Sequence, residues 1–412
     1  MTRLPTVGSD VATWGTVLNQ FLQVGHNAAG SNANVLSAVN VKDDAYGAKG
    51  DGSTDDTVAI QAAITAVSAT GGIVFFPPGT YIVSNALTVN SYIVFAGAGD
   101  HATNISMSSV TNKDCFSGVD VSNVSFRDLT LTGPGSGSGK GINFTRSSNP
   151  ATAYIACSNL KILNWGSDGA AISNPIVSTF SRIITQTNGG YGLNLYGVVS
   201  GASGTSCSLD ACYGNADTLA GIRLYNMTYC ALQACAVDSN PVGYLIDACS
   251  GIALSGCGGE ANTTNTFKIT GSSTGITLMS PWTYDSHGDA IYVTGNSTSI
   301  ALIGCIENSP HAGATSFIKV DAGSLVTLIN SKNITANSLA ASTTTTLTDA
   351  SGSTQILGLT VYGGAGFQGN TGFNSTTPIS KPTVSGSKGG NAALASLMTA
   401  LANYGLVTDT TT

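Results

Sequence analysis

The chain has 412 residues, of which 9% are charged and 42% are hydrophobic, and its formal net charge is −7. Because it has five arginines and no basic run, nucleic acid is excluded as an expected partner. No apolar run approaches the roughly 20 residues of a membrane helix, and residues 1–10 lack the parts of a signal peptide, so we expect neither membrane insertion nor ordinary secretory export.

The N-terminal segment, residues 1–40, predicts a short amphipathic helix. Its apolar residues recur at helical spacing: Trp14, Leu18, Phe21 and Leu22. A stretch rich in glycine, asparagine and alanine then separates this helix from the rest of the chain. We interpret residues 1–40 as an attachment or oligomer segment. A helix that folds back as a lid on the body explains the pattern equally well.

Residues 41–100 predict a glycine-rich turn followed by a second helix. The buried stripe of this helix is predicted to be Ile60, Ile64 and Val67. Thr54 is the expected N-cap, and Asp55 and Asp56 are expected to oppose the helix dipole. We therefore interpret this acidic cluster as capping rather than as a catalytic or calcium site.

The stretch from about Asp44 to Gly99 resembles the start of the pectate-lyase-like superfamily of right-handed β-helices. The resemblance is carried by Tyr46-Gly-Ala-Lys-Gly-Asp51-Gly and by Phe76-Pro-Pro-Gly-Thr-Tyr81. It implies that the helix covers the first coil, where an uncovered coil end would be an exposed sheet edge. It does not imply a reaction, because the superfamily includes polygalacturonases, lyases, epimerases and phage tailspikes.

A repeat between Cys207 and Ser331 gives the main prediction of fold. A short phrase starts six times, at intervals of 23, 22, 24, 24 and 26 residues, with leucine always third: Leu209, Leu232, Leu254, Leu278, Leu302 and Leu328. A second phrase with apolar residues two apart recurs at nearly the same interval. Such a period indicates a solenoid, and the two-residue spacing indicates strands. We predict an all-β chain, a single-stranded parallel β-helix that is right-handed as the resemblance implies, with an N-terminal capping helix and short helical termini.

The predicted organisation has five parts: residues 1–40 for attachment or oligomer contact, 41–100 for the β-helix cap and first coils, 101–362 for the β-helix body, 363–390 as linker, and 391–412 as a helical tail. The head from Leu4 to Asn27 and the start of the tail at Lys381 look like the end segments of bacteriophage tail proteins. Cysteines at repeated positions predict buried packing thiols. No Cys/His spacing indicates a metal site, and we expect no cofactor.

Two outward-facing columns predict contact surfaces. The first column is small and then apolar, which favours packing of three chains as in tailspikes, although a loop or the chain's own tail could cover it: Ser208, Ala231, Ala253, Thr277, Ala301 and Thr327, beside Asp210, Gln233, Ser255, Met279, Ile303 and Ile329. The second column is polar, cationic and partly aromatic, which suits an anionic or neutral glycan or a solvated face: Asn194, Arg223, Leu245, Lys268, Tyr292 and Lys319.

The catalytic hypothesis rests on scarce acidic residues. The only two glutamates of the chain, Glu260 and Glu307, follow the repeated phrase, and Asp238 and Asp285 occupy the same predicted turn on neighbouring coils. We predict a carboxylate ladder with about 5 Å between neighbours and about 9.6 Å between Glu260 and Glu307. These separations allow both retaining and inverting glycosidase chemistry. Simple turn formation explains the same residues.

Other side chains are predicted to bind glycan or to take part in lyase chemistry. Trp282, Tyr284 and Tyr292 lie near enough to the acids to stack on a sugar ring. Arg223 and Lys268 are the glycan-binding cations and the candidate bases for an elimination. Of the polygalacturonase motifs, the sequence has only a loose similarity between Asn164 and Asp168, which disfavours a pectin hydrolase of that type.

The sequence therefore predicts a phage tail spike or fibre protein. It would reside in the virion tail, act outside the cell, and contact a host cell-surface polysaccharide and other phage tail proteins as a homotrimer. A polysaccharide depolymerase, either hydrolase or lyase, is the first alternative. A purely structural tail component is the second. The glycan, the host and the reaction stay open.

Overall fold

The computed structural model describes residues 38–147, 154–198, 204–314, 316–321, 323–329, 332–333, 340–341, 383–387, 389–403 and 408–411. The helix predicted within residues 1–40, the strand pair predicted from Ile356 to Val361 and most of the linker lie outside these residues. The chain divides into two units, residues 1–354 and 355–412, which we describe separately. No helix in the described ranges is long and apolar enough to cross a membrane.

The first unit is a right-handed parallel β-solenoid of about 11 turns, which confirms the predicted fold class. Its coils carry strands on three faces, which we call faces A, B and C. Faces A and B belong to one 22-stranded sheet, and face C is an 11-stranded sheet.

Face A consists of β1 (Ala38–Asn40), β3 (Gly72–Phe76), β6 (Ile93–Gly97), β15 (Gly204–Thr205), β16 (Ser208–Asp210), β19 (Met227–Gln233), β22 (Ser250–Ser255), β25 (Thr274–Met279), β28 (Thr298–Ile303) and β31 (Val326–Ile329). Face B consists of β2 (Asp51–Asp55), β4 (Gly79–Ile82), β7 (Thr103–Ser106), β17 (Tyr213–Asn215), β20 (Ala236–Asp238), β23 (Gly258–Glu260), β26 (Trp282–Tyr284), β29 (Ile306–Asn308) and β32 (Lys332–Asn333). Three long strands run through both faces: β9 (Val124–Thr132), β11 (Ile155–Leu163) and β13 (Thr179–Gln186).

Face C consists of β5 (Leu87–Thr88), β8 (Phe116–Val119), β10 (Ile142–Thr145), β12 (Ala170–Ser173), β14 (Tyr191–Tyr196), β18 (Ala220–Tyr225), β21 (Val242–Asp247), β24 (Asn265–Thr270), β27 (Asp289–Val293), β30 (Ser316–Val320) and β33 (Ala340–Ala341). The two repeated phrases of the sequence are the strands of faces A and C. The strands of face B lie between them, where the sequence predicted only a turn.

The core is built from inward residues that stack from coil to coil in parallel register. Leu232, Leu254 and Leu278 are direct partners on successive strands, and an aromatic stack near the first coils joins Phe95 to Phe126 at 4.7 Å between ring centroids. All nine cysteine side chains are buried, which confirms their predicted packing role. Because every coil buries its apolar residues against its neighbours, the core continues along the solenoid.

The corner between faces B and C contains a buried polar ladder that the sequence did not predict. Its members follow each other on successive coils: Asn188, Asp217, Asn240 and Asn262. The backbone N–H of Asn240 donates to Oδ1 of Asn262 at 3.1 Å, and that of Asp217 donates to Oδ1 of Asn240 at 2.9 Å. These side chains satisfy backbone groups that the corner would otherwise bury without partners.

Helix α1 (Thr57–Val67) buries Ile60, Ile64 and Val67 as predicted. The predicted cap is wrong: the N-cap is Asp56, and Thr54 lies in β2. The Asp56 carboxylate instead accepts the N–H groups of Lys49 and Gly50, at 2.6 and 3.0 Å, and closes the glycine-rich turn. The N–H of Thr57, the first residue of the helix, donates to Oδ1 of Asp55 at 3.0 Å.

The second unit contains helix α2 (Ala392–Asn403) and two parallel strands, β34 (Thr383–Gly386) and β35 (Thr408–Thr411). The predicted C-terminal helix is confirmed. Oδ1 of Asn391 accepts the N–H groups of Ala393 and Leu394 at 3.0 and 3.1 Å, which is the ordinary geometry of an asparagine N-cap.

Candidate functional site

Two outward columns run along face B. In a three-residue strand the first and third side chains point outward and the middle one points into the core. The first column contains Lys161, Ile184, Tyr213, Ala236, Gly258, Trp282 and Ile306. The second contains Leu163, Gln186, Asn215, Asp238, Glu260, Tyr284 and Asn308. Four of the predicted site residues therefore share one surface.

Asp238 and Glu260 form an acidic pair on neighbouring coils of this surface. Their backbones are direct partners, about 4.8 Å apart. Asp238 is held in place, since its Oδ1 accepts the N–H of Glu260 at 3.0 Å and its Oδ2 accepts the hydroxyl of Tyr213 at 2.7 Å. Burial and the Asp238 carboxylate raise the pKa of Tyr213 to about 12, so its hydroxyl stays a donor. The side chain of Glu260 is exposed.

An aromatic pair lies beside the acids. The rings of Trp282 and Tyr284 are nearly parallel, 7° apart, with centroids separated by 5.8 Å. Tyr284 is the direct strand partner of Glu260, and its side chain is 38% exposed. The structure thus brings two aromatic rings and two carboxylates together on three successive coils, and we call Asp238, Glu260, Trp282 and Tyr284 the face B site.

The predicted four-membered ladder is wrong at Glu307. This residue pairs with Thr283, the inward middle residue of β26, and is 1% exposed. Neither carboxylate oxygen has a hydrogen-bond partner among the described residues, and burial raises the pKa of Glu307 to about 7. A shift of one residue along a strand moves a side chain to the opposite face. Glu307 is therefore a core residue, and the separation predicted between Glu260 and Glu307 does not describe the outer surface.

Asp285 also lies outside the two columns. It occupies the corner after β26 in the left-handed conformation, with φ of 48°, and its Oδ2 is 3.6 Å from Nε2 of His287. The same corner position on other coils is filled by Ala216, Ser239, Ala261 and Ser309. Asp285 therefore belongs to a corner cluster beside the face B site, not to a continuous ladder with Asp238 and Glu260.

The cationic column of face C is aligned as the sequence predicted. Asn194, Arg223, Leu245, Lys268, Tyr292 and Lys319 are successive strand partners. The guanidinium of Arg223 lies over the rings of Tyr191 and Tyr225, 4.8 and 4.6 Å from their centroids. A guanidinium stays protonated, so Arg223 suits neutralisation of an anion better than proton abstraction.

Tyr292 is enclosed by its own neighbours on face C. The ammonium groups of Lys268 and Lys319 lie 5.8 and 4.5 Å from its ring centroid, and its hydroxyl donates to Asp321 at 2.5 Å. Lys319 also pairs with Asp289 at 3.5 Å. These contacts leave Tyr292 less suited to stacking on a sugar than Trp282 or Tyr284.

A polar cavity near the other end of face B was missed by sequence reasoning. It has a volume of about 320 Å³ and is lined by Gly99, Asp100, Asp128, Asn159, Arg182 and Ile184. Beside it, Nζ of Lys161 lies 3.3 Å from Asp100 Oδ2 and 2.8 Å from His101 Nε2. The coils here are irregular, so no repeat aligned these residues in the sequence. Lys161 lies in the same outward column as Trp282, five coils or about 24 Å away.

The comparisons with known proteins agree with the fold. Residues 38–153 match the family described as "Rhamnogalacturonase A/epimerase, pectate lyase-like". This match and the solenoid confirm the predicted resemblance to the pectate-lyase-like superfamily. The matched segment ends before the coils that carry the face B site.

One curated relative is mannuronan C5-epimerase AlgE6 of Azotobacter vinelandii, 46% identical over 109 residues. That alignment covers 23% of this chain and only 12% of the relative. The chain therefore matches only a small part of that protein.

Three solved structures share the fold at low sequence identity. The A-module of mannuronan C-5 epimerase AlgE4 from Azotobacter vinelandii has a TM-score of 0.56 at 20% identity, covering 71% of this chain and 95% of that one. Geobacillus virus E2 ORF18 has a TM-score of 0.54 at 20% identity, covering 80% and 64%. Tailspike protein 2 of Escherichia coli O157:H7 bacteriophage CAB120 has a TM-score of 0.50 at 15% identity, covering 72% and 43%.

Proposed function

We propose that this chain is a phage tail spike or fibre protein that contacts a host cell-surface glycan through the face B site. The observation that carries the proposal is the nearly parallel pair of Trp282 and Tyr284 beside the carboxylates of Asp238 and Glu260. Aromatic faces pack against the apolar face of a sugar ring, and carboxylates accept hydrogen bonds from its hydroxyl groups. The fold shared with a viral protein and a tailspike supports a place in a phage tail.

The length of face B favours an extended glycan, and its charges are mixed, because Lys161 pairs with Asp100 at one end and the carboxylates of Asp238 and Glu260 lie towards the other. Lys161 lies at one end, about 24 Å from the aromatic pair along the same column, and Arg182 lines the polar cavity beside it. A polysaccharide that follows the face would meet cations at one end and aromatic rings at the other. The Arg223 and Lys268 column of face C adds positive charge on a neighbouring face.

The test is incubation of the protein with cell-surface polysaccharides from candidate hosts, in which retained polysaccharide and new chain ends are both measured. We expect retention that Trp282→Ala weakens at least tenfold. Tyr92→Ala is the matched control, because Tyr92 is an exposed aromatic residue (65%) at the opposite end of the solenoid. Retention that is equal in the wild type and in Trp282→Ala would contradict the proposal.

A polysaccharide depolymerase is the second candidate, favoured by the spacing of Asp238 and Glu260. Neighbouring coils place the two carboxyl groups at about 5 Å, near the roughly 5–5.5 Å of retaining glycosidases. Hydrolysis would yield reducing ends and be lost in Glu260→Gln, while Glu307→Gln, a change in the core, would keep it. Ultraviolet absorbance of unsaturated uronates would instead indicate elimination and would make Lys268 and Lys161 the next residues to change.

We further propose that face A packs three chains about a common axis. The predicted columns are in register, and Met279 is a half-exposed apolar side chain whose strand partners are Ser255 and Ile303. Light scattering would give three times the chain mass in the wild type and a smaller mass in Met279→Glu. A stable wild-type monomer would contradict the trimer. Failure to retain any cell-surface fraction, in a stable trimer, would favour a purely structural tail component.

A further inference from the structure

Three side chains that bind metals meet at the corner between faces B and C. Asp285 and His287 follow β26, and His311 follows β29 on the next coil. One ligand atom from each lies within 4.8 Å of the others. Oδ2 of Asp285 lies 3.6 Å from Nε2 of His287.

The solenoid itself aligns the two histidines. The N–H of His287 donates to the carbonyl of Asn262 at 3.1 Å, and that of His311 donates to the carbonyl of Ser286 at 3.3 Å. The two residues therefore occupy the same corner on successive coils, and their rings stack with centroids 3.9 Å apart and planes at 27°. Gly288 fixes the first of these turns, because a Cβ there would lie 2.1 Å from the carbonyl oxygen of Thr264.

We propose that Asp285, His287 and His311 bind a divalent transition-metal ion of the zinc type, with one coordination position left open. Bonds of 2.0–2.2 Å to a tetrahedral ion separate the ligand atoms by about 3.4 Å. The Asp285–His287 pair, at 3.6 Å, is close to this separation, and the ligand atom of His311, within 4.8 Å of the other two, has to approach by up to about 1.4 Å. Three protein ligands leave a fourth position for water or another ligand.

The donor set selects the class of metal. Two imidazoles and one carboxylate suit zinc, copper or nickel, whereas calcium and magnesium prefer sites made only of oxygen ligands. An ordinary ion pair explains Asp285 and His287 but gives no reason for the second ring. A half-exposed pair of that kind also contributes little to stability.

Metal binding to His311 would break the hydrogen bond between this residue and the backbone of Gly313. The N–H of Gly313 donates to Nδ1 of His311 at 3.1 Å, so this nitrogen presents a lone pair. A metal at Nδ1 takes the place of the Gly313 amide. A metal at Nε2 requires the ring proton to sit on Nδ1, which also ends that hydrogen bond. The backbone amide of Gly313 therefore reports on occupation of the site.

The inference goes beyond glycan binding and does not rest on it. The cluster begins one residue after Tyr284, so it lies at the edge of the face B site. Zinc alone is the probe of the test, and the readouts are the bound metal and the Gly313 amide. Failure of the glycan proposal would leave the metal result unchanged.

The test is calorimetric titration of zinc chloride into untagged, chelator-treated and fully reduced protein. We expect one equivalent to bind, with affinity at least tenfold weaker in His311→Ala and in Asp285→Asn. Asparagine tolerates the left-handed backbone at position 285, so this second variant keeps the fold. His101→Ala is the control, because His101 is an exposed histidine that pairs with Lys161 instead. Thermal unfolding checks that each variant is folded.

Cobalt(II) and nuclear magnetic resonance complete the experiment. Visible absorption of bound cobalt without a thiolate charge-transfer band assigns the ion to nitrogen and oxygen ligands rather than to any of the nine cysteines. The Gly313 amide resonance is expected to shift on addition of zinc. Absence of saturable binding, a thiolate band, or equal affinity in wild type and His311→Ala would overturn the proposal.

Discussion

The buried carboxyl group of Glu307 predicts how pH acts on the stability of the solenoid. It is 1% exposed, lies inward beside Thr283 and has no hydrogen-bond partner in the described part of the chain. Burial disfavours the charged form and raises its pKa from 4.5 to about 7. The substitution Glu307→Gln keeps the shape of the side chain and removes its charge.

The sign and size of the effect follow from the two pKa values. Between pH 4.5 and about 7 the folded protein binds the Glu307 proton more tightly than the unfolded chain does. The contribution of Glu307 to the free energy of unfolding is therefore fully present below pH 4.5 and is lost as the pH rises through 7. A shift of one pKa unit corresponds to about 1.4 kcal/mol. The shift of Glu307 from 4.5 to about 7 therefore lowers the free energy of unfolding above pH 7 by about 3 kcal/mol. Burial also raises the pKa of Asp217 to about 6, so the contribution of Asp217 to the free energy of unfolding is likewise lost as the pH rises.

The assay is urea unfolding followed by circular dichroism at about pH 5 and about pH 8.5. We expect Glu307→Gln to match the wild type within about 1 kcal/mol at the lower pH and to exceed it by about 2–3 kcal/mol at the higher pH. Glu260→Gln is the matched control, because Glu260 is the only other glutamate and is exposed. Identical pH dependence of stability in the wild type and in Glu307→Gln would show that Glu307 does not titrate differently in the folded and unfolded protein.

Three further predictions concern other parts of the chain. Asn262→Ala removes an acceptor for the Asn240 N–H and a donor to the carbonyl of Val237, so we expect the free energy of unfolding in urea to fall by about 2–4 kcal/mol. The control Thr263→Ala changes an exposed side chain and should alter that free energy by less than about 0.5 kcal/mol. Equal effects of the two substitutions would contradict a stabilising role of the polar ladder. Lys161→Ala should weaken binding of an acidic polysaccharide more at low salt than at high salt, and a salt-independent loss would argue against a charge contact. Asn391→Ala removes the cap of α2 and should lower helix stability by about 1 kcal/mol, read as faster hydrogen exchange of the first-turn amides; unchanged exchange would contradict the cap.

The regular parts of the fold could be predicted because each coil repeats the same inward pattern. Leu232, Leu254 and Leu278 share one position of the repeat and are direct partners on successive strands. On face C, Leu245 is likewise the direct partner of both Arg223 and Lys268. A period of 22–26 residues is enough to align such columns without knowledge of the turns. The superfamily resemblance then supplied the handedness.

Face B could not be predicted, because strands of three residues carry no readable period. Gly214 and Gly259 occupy the inward position on two of them, so the apolar alternation that marks a strand is missing. The error at Glu307 has the same source. Glu260 follows Cys257 by three residues, whereas Glu307 follows Cys305 by two. This difference of one residue separates an outer side chain from a core side chain.

The buried polar ladder at the corner between faces B and C also could not be predicted from the sequence. Asparagine in a turn is usually an exposed turn former, and only the stacking of coils buries Asn240 and Asn262. The two histidines of the proposed metal site lie 24 residues apart, which is one coil. The two histidines share no short sequence motif, and their proximity follows only from the period of the coils.

Tryptophan fluorescence reports directly on glycan contact through the face B site, because Trp282 belongs to that site. Of the three tryptophans, Trp282 is partly exposed on face B and Trp165 is fully buried. Titration with the host polysaccharide should change the emission of the wild type to saturation, and Trp282→Phe should lose that change. A polysaccharide that the protein retains while the Trp282 emission stays constant would contradict the claim.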